Sequence, residues 1–254
     1  MADRSRFGEV FLNLADAMPV GIRSGDLVHA VRITGVDAAS GALPDRIEDQ
    51  LRNAFANMCA SLENVGGTPD NIAHVSMFLA DPRSAMPAVN AQWVETFPQS
   101  ADRPTYKFVP AALPAGHLVN IEYFAVVGAR RRVVNIAGVA HTNPIPMAVR
   151  IGDYLFSSRV LPMDASTGTY PAEVAAQMEC LFANVASVIA AGNMAWHDVV
   201  QGRLFLADRT NLLEAKARWE AMFPDAATRP ALHTLHYEAG PALQVMLEIL
   251  AVKS

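Results

Sequence analysis

A chain of 254 residues, 52% apolar and 18% charged, has the composition of a globular protein and the bulk to bury a core without disulfides or a metal. Its net charge of −5 excludes the basic surface that a general nucleic-acid or membrane partner needs, and no apolar stretch is expected to be long enough to span a bilayer. Residues 1–6 open into no signal-type apolar segment, so a cytoplasmic protein is the default expectation.

In chain order, a Gly25-Asp26 turn leads into an expected strand over 27–33. Ile47, Leu51, Phe55, Met58, Leu62 and Val65 recur every three or four residues, the stripe of an amphipathic helix, and Gly66-Gly67 ends it. A strand over 72–79 follows, then a second helix carrying Val89, Trp93 and Phe97, and strands after Arg103 that close over 119–126. The same order then returns. A strand over 154–158 precedes a helix with Val174, Met178, Phe182, Val185 and Ile189, and Gly192 ends it. A strand over 199–206, a helix with Leu212, Lys216, Trp219 and Phe223, and strands after Arg229 closing over 245–252 complete it.

The second half is a copy of the first. A shift of 127 residues lays Arg32, Asp37, Gly41 and Pro44 over Arg159, Asp164, Gly168 and Pro171, Gln50 over Gln177, and Asn57 over Asn184. It also lays residues 78–81 over 205–208; one residue is then lost, and at a shift of 126 Trp93, Arg103-Pro104 and Glu122 meet Trp219, Arg229-Pro230 and Glu248. The chain is therefore expected to be two domains, 1–127 and 128–254, each ββαβαββ: an α+β fold with an antiparallel-rich sheet and two helices on one face. Cys59 and Cys180 fall in helices of different halves and are expected to be reduced and buried. Arg130, Arg131 and Arg132 sit near the junction and read as a solvated surface.

These residues in this order resemble the Rid (reactive intermediate deaminase) family, also called endoribonuclease L-PSP-like. The resemblance rests on the Asp-x-x-x-Gly loops at Asp37 and Asp164, the helix glutamines and asparagines, the Phe-Leu-x-Asp strand ends, Leu113-Pro114 and the two arginines. It implies tandem chorismate-mutase-like domains, a trimer of two-domain chains, and hydrolysis of a small imine or enamine in clefts between neighbouring domains. It also assigns Arg103 and Arg229 to the family's carboxylate-gripping arginine, a role suited to a planar guanidinium that stays charged and donates two parallel hydrogen bonds. Glu122 and Glu248 match a family glutamate on the last strand, and Ser158 matches a serine of the ligand site.

There are departures. Met18 and Ile145 stand where the family's deaminases have an aromatic residue, and Val31 replaces the serine that Ser158 keeps. Arg159 and Val160 replace the Gly and Gln that follow that serine, and Asn120 and Met246 replace the glutamate that orients water. The interval from Arg103 to Glu122 is also about two residues longer than the family pattern. Asn120 retains hydrogen-bonding capacity and Met246 does not.

Three functions follow as expectations. The first is a hydrolase of small carboxylate-bearing imines or enamines, with Arg103, Arg229, Asn120, Glu122 and Glu248 as the catalytic set and Arg103, Arg229 and Ser158 binding substrate. The alternative is a non-catalytic ligand-binding or regulatory protein that kept the clamp. A ribonuclease is disfavoured by the charge and by the lack of a paired general acid and base. No cofactor and no metal are expected; His233 and His236, near Glu238, have a strand spacing that puts them on opposite faces.

Overall fold

The computed structural model describes residues 19–237 and 240–254 and the backbone of Arg4–Phe7. Met18 and Glu238 lie outside the described residues. The chain forms two compact units, Met1–Arg132 with Asn143–Ile145, and Val133–Thr142 with Pro146–Ser254.

The first unit runs β1 (Arg4–Phe7), β2 (Gly21–Ser24), β3 (Leu27–Thr34), α1 (Ile47–Glu63), β4 (Ile72–Leu79), α2 (Pro82–Thr96), β5 (Thr105–Pro110) and β6 (Val119–Val126). Its sheet order is β1-β2-β3-β6-β4-β5, with β4 and β5 parallel and the other pairs antiparallel. The second runs β7 (Arg132–Val134), β8 (Ala148–Ile151), β9 (Tyr154–Ser157), α3 (Val174–Ala191), β10 (Val199–Leu206), α4 (Leu212–Met222), β11 (Ala231–His236) and β12 (Val245–Val252). Reading its sheet as β7-β8-β9-β12-β10-β11 reproduces the first order strand for strand, and β10 and β11 are again the parallel pair. The expected α+β fold is therefore present twice, with an edge strand added at the front of each copy.

The stripe read from the sequence is what each long helix buries. Leu51, Ala54, Phe55, Met58 and Leu62 of α1 pack on Val28, Ala30, Ile121 and Tyr123, at roughly 1.5–3 kcal/mol for each large side chain removed from water. Trp93 ties α2 to this core, edge-on to Phe55 at 6.1 Å and Tyr106 at 4.8 Å. Asp81 starts α2 by accepting from the amides of Arg83 and Ser84.

Two expectations change. Helix α3 is long and apolar enough, by length and composition, to cross a membrane. Its Met178, Leu181, Phe182, Val185 and Val188 are spent on the core of the second domain, and its outer side is largely alanine. The arginine run is not uniformly solvated either. The Arg131 side chain is 3% exposed, lies 3.4 Å from Asp102 and donates to the Asp102 and Ile72 carbonyls. Both cysteines are free and partly buried, and burial raises the Cys59 thiol to about 11.

The residues that organise the loops are the buried amides of α1 and α3. Gln50 is fully buried; its Nε2 donates to the Pro44 and Gly116 carbonyls at 2.7 Å and its Oε1 accepts from the Leu118 amide at 2.8 Å. Gln177 repeats this with Pro171, Ala242 and Gln244. One turn or two later Asn57 donates to the Thr34 and Val36 carbonyls, both at 2.9 Å, and Asn184 to those of Leu161 and Met163. Gly35 allows this approach, since a Cβ there would come within 2.6 Å of Gln50.

Leucine at position 50 fills the same volume and strands two carbonyls and an amide. Gln50→Leu and Gln177→Leu are each expected to lower stability by about 3 kcal/mol or more, read as a fall in the urea midpoint; a change under about 1 kcal/mol would show that water replaces these bonds.

Candidate functional site

Strand β3 is interrupted where the site begins. Ala30 pairs with Tyr123 and Ile33 with Ile121, so Val31 and Arg32 together face the single Glu122. This is a β-bulge, a device that re-aims a side chain at the cost of a ladder bond. Arg32 takes φ +59°, a left-handed conformation that costs a residue with a Cβ about 1–2 kcal/mol. Val31 and Arg32 line one wall of a cavity of about 300 Å³. Phe78 of β4 and the loop from Ala111 to Leu113 line two more, and Asn120 and Glu122 come from β6. The Arg32 guanidinium reaches the Pro19 carbonyl at 3.5 Å, and Glu122 lies 3.3 Å from His29, whose ring stacks on Phe124 at 4.2 Å. A cation, an amide and a carboxylate thus border one hollow large enough for a molecule of a few carbons. Gln50 fixes the loop on one side and Asn57 the strand end on the other.

Of the expected residues, Asn120 and Glu122 are brought together here and Arg103 is not among those lining the cavity. Arg103 Nε donates to the Phe97 carbonyl at 2.8 Å and Nη2 to that of Pro98 at 3.2 Å. Arg229 does the same to Phe223 and Pro224, and also pairs with Glu220 at 3.4 Å. Each guanidinium is thus anchored to two carbonyls just beyond a helix. The carbonyls at a helix end lack intrahelical partners, and an arginine just beyond α2 or α4 is in reach to satisfy them. Ser158 is 0% exposed, and its hydroxyl donates to the Met147 carbonyl at 2.9 Å. His141 Nε2 lies 2.6 Å from the same oxygen and so is the donor to it.

The bulge is repeated in the second domain, where Val160 pairs with Leu247 and Ser158 and Arg159 come opposite Glu248. There Glu248 does not face an open space. Arg159 Nε is 3.3 Å from its Oε1 and Arg203 is 3.7 Å from its Oε2, while Met246 is buried with Leu161 and Phe205. His233 and His236 both lie on β11, and His236 Nε2 is 2.9 Å from the Ala207 carbonyl.

The residues that sequence reading left out of the site are Arg32 and Arg159. Their signal was present: they coincide under the 127-residue shift, and Arg159 stands where the family pattern has glycine.

A family model described as Endoribonuclease L-PSP matches residues 18–127 and again 137–253. The 2-iminobutanoate/2-iminopropanoate deaminase of Escherichia coli strain K12 is 28% identical over 116 residues, which is 45% of this chain and 91% of that protein. A RutC family protein of Haemophilus influenzae is 27% identical over 86 residues, 34% of this chain and 66% of its own. The crystal structure of the YjgF gene product from E. coli, 25% identical, covers 48% of this chain and 99% of its own with a TM-score of 0.44.

Burial pushes the His141 imidazole down to about 4, and the charge of Arg159 adds to the effect. Its folded value lies below the ordinary 6.5, so the unfolded chain takes the proton first. The stability it contributes is complete above pH 6.5 and is lost as pH falls toward 4, by up to about 3 kcal/mol. Urea unfolding at pH 7.5 and 4.5 should show this loss in wild type and a smaller one in His141→Gln; equal losses would mean that the imidazole titrates freely in the folded protein.

Proposed function

Because the chain belongs to the endoribonuclease L-PSP, or Rid, family in both of its halves, we propose that it hydrolyses a small carboxylate-bearing imine or enamine, and does so in the cavity of the first domain. The observation that carries this reading is the bulge that sets Arg32 beside Glu122 and Asn120 around one hollow. A deaminase of 2-iminobutanoate and 2-iminopropanoate among the relatives supports the substrate class.

In this reading Arg32 grips the substrate carboxylate, taking the part that Arg103 was expected to play. The grip fixes the C=N carbon relative to a water held by Glu122 and Asn120. Water adds to that carbon while one of its protons passes through Glu122 to the nitrogen, giving a carbinolamine; the hydroxyl proton then follows by the same carboxyl, so that C=O forms as the C–N bond breaks. One water is consumed, and a ketone and ammonia leave. Phe78 and Leu113 offer the apolar wall for a short side chain.

A second reading is favoured by one residue. Asn120 stands where an acid would orient the water, which suits a protein that binds the same carboxylates without turning them over.

The assay follows ammonia release from freshly generated 2-imino acids. Wild type should be active, and Arg32→Ala should lose about 100-fold in kcat/KM, the worth of two charged hydrogen bonds. Glu122→Gln should lose about 100-fold or more in kcat. Arg103→Lys should lower thermal stability and leave kcat/KM within about two-fold, as expected of a residue holding a helix end. No release by wild type, or equal rates in all four proteins, would sink the hydrolase; calorimetry with a simple 2-oxo acid then decides for or against the binding protein.

A further inference from the structure

The second domain fills its own pocket. We infer that Arg159 is a built-in guanidinium ligand occupying the second domain's counterpart of the first cavity, so that each chain carries one open site and one internally filled site. The Arg159 Cζ lies 4.4 Å from the centre of the Phe205 ring and 4.3 Å from that of Tyr237. The two rings meet edge to face at 6.0 Å, so the guanidinium sits in an aromatic corner. Its Nε meets Glu248 at 3.3 Å, and that carboxylate is 6% exposed. Aromatic faces with a dry carboxylate are the chemistry that holds a guanidinium.

Two replacements make this corner. Under the repeat, Tyr237 takes the place of Ala111 and provides a ring where the first domain has a methyl group. Met246 takes the place of Asn120 and lays an apolar floor with Leu161. Arg32 carries the left-handed backbone and Arg159 does not, so the two bulges differ in backbone conformation. A substrate carboxylate entering the second domain would meet Glu248, with its countercharge already in place. This inference concerns occupancy alone and holds whatever reaction the first domain performs.

Thermal unfolding of the full chain tests it without any substrate. Arg159→Ala empties the corner and leaves Glu248 with Arg203 alone, 3.7 Å from its Oε2, and the melting temperature should fall by about 5 °C. N-ethylguanidinium at millimolar concentration should then raise the melting temperature of this variant by about 4 °C. Wild type and the Arg159→Ala/Glu248→Gln double variant should show no such gain. A folded Arg159→Ala that gains nothing, or a wild type that gains as much, would overturn the inference. Should Arg159→Ala fail to fold, nuclear magnetic resonance of wild type decides. One arginine Hε signal should be shifted upfield by the rings, exchange slowly with water and vanish in Arg159→Lys; the absence of any such signal would overturn the inference equally.

Discussion

Each domain depends on a helix that carries two buried amides across its own core. Gln50 and Asn57 of α1 take up carbonyls from the segment before the helix, the segment before the last strand and the end of β3. Those carbonyls lie in loops or at a strand end, and an unpaired buried carbonyl or amide costs as much as several favourable contacts return. The hydrophobic stripe decides that α1 lies on the sheet. The amides decide at what height and rotation it lies there, because Gln50 commits both ends, and Asn57 its Nδ2, to fixed backbone atoms. The cavity walls are the same segments, so the site is held by the core.

That frame is identical in the second domain, where Gln177 and Asn184 make the equivalent bonds. The bulge on the neighbouring strand and the glutamate opposite it are repeated as well. What differs is the set of small groups between them. Ala111 and Asn120 leave room and offer a hydrogen bond; Tyr237 and Met246 take up the room and offer none. Two arginines at equivalent positions therefore come to different ends, one at the edge of a hollow and one packed in an aromatic corner.

Much of the fold was legible because it is written twice. A period of 127 residues with one slip turned scattered apolar residues into matched elements, and strands over 72–79, 119–126, 199–206 and 245–252 lie where the pattern put them. The site was legible only in part. Asn120 and Glu122 were found because the resemblance places two family glutamates at those positions of the last strand, where alternation sets both on one face. Arg103 was assigned by resemblance, and resemblance carries no information about the two carbonyls at the end of α2 that compete for its guanidinium. Ser158 shows the same limit: its identity fits a ligand site, while its burial depends on His141, which approaches from a loop 17 residues earlier in the chain. Arg32 was hidden by its bulge, since strict alternation gives no means of aiming two consecutive residues at one partner.

The exposure of the two glutamates then separates the roles of the domains. The Glu248 side chain is 6% exposed and Glu122 is 23% exposed. A carboxylate as dry as Glu248 is stable only when paired, and Arg159 with Arg203 provides the pairing at the expense of any partner from solution. Glu122 keeps contact with water, and the side chain of its neighbour His29 is 41% exposed. Closing the second pocket therefore solves a problem of desolvation that the first does not have. An aromatic residue at Ala111 would dry the first cavity and place Glu122 under the same pressure. Openness in the first domain thus rests on the small side chains at Ala111 and Ala112 as much as on the charged groups that border the cavity.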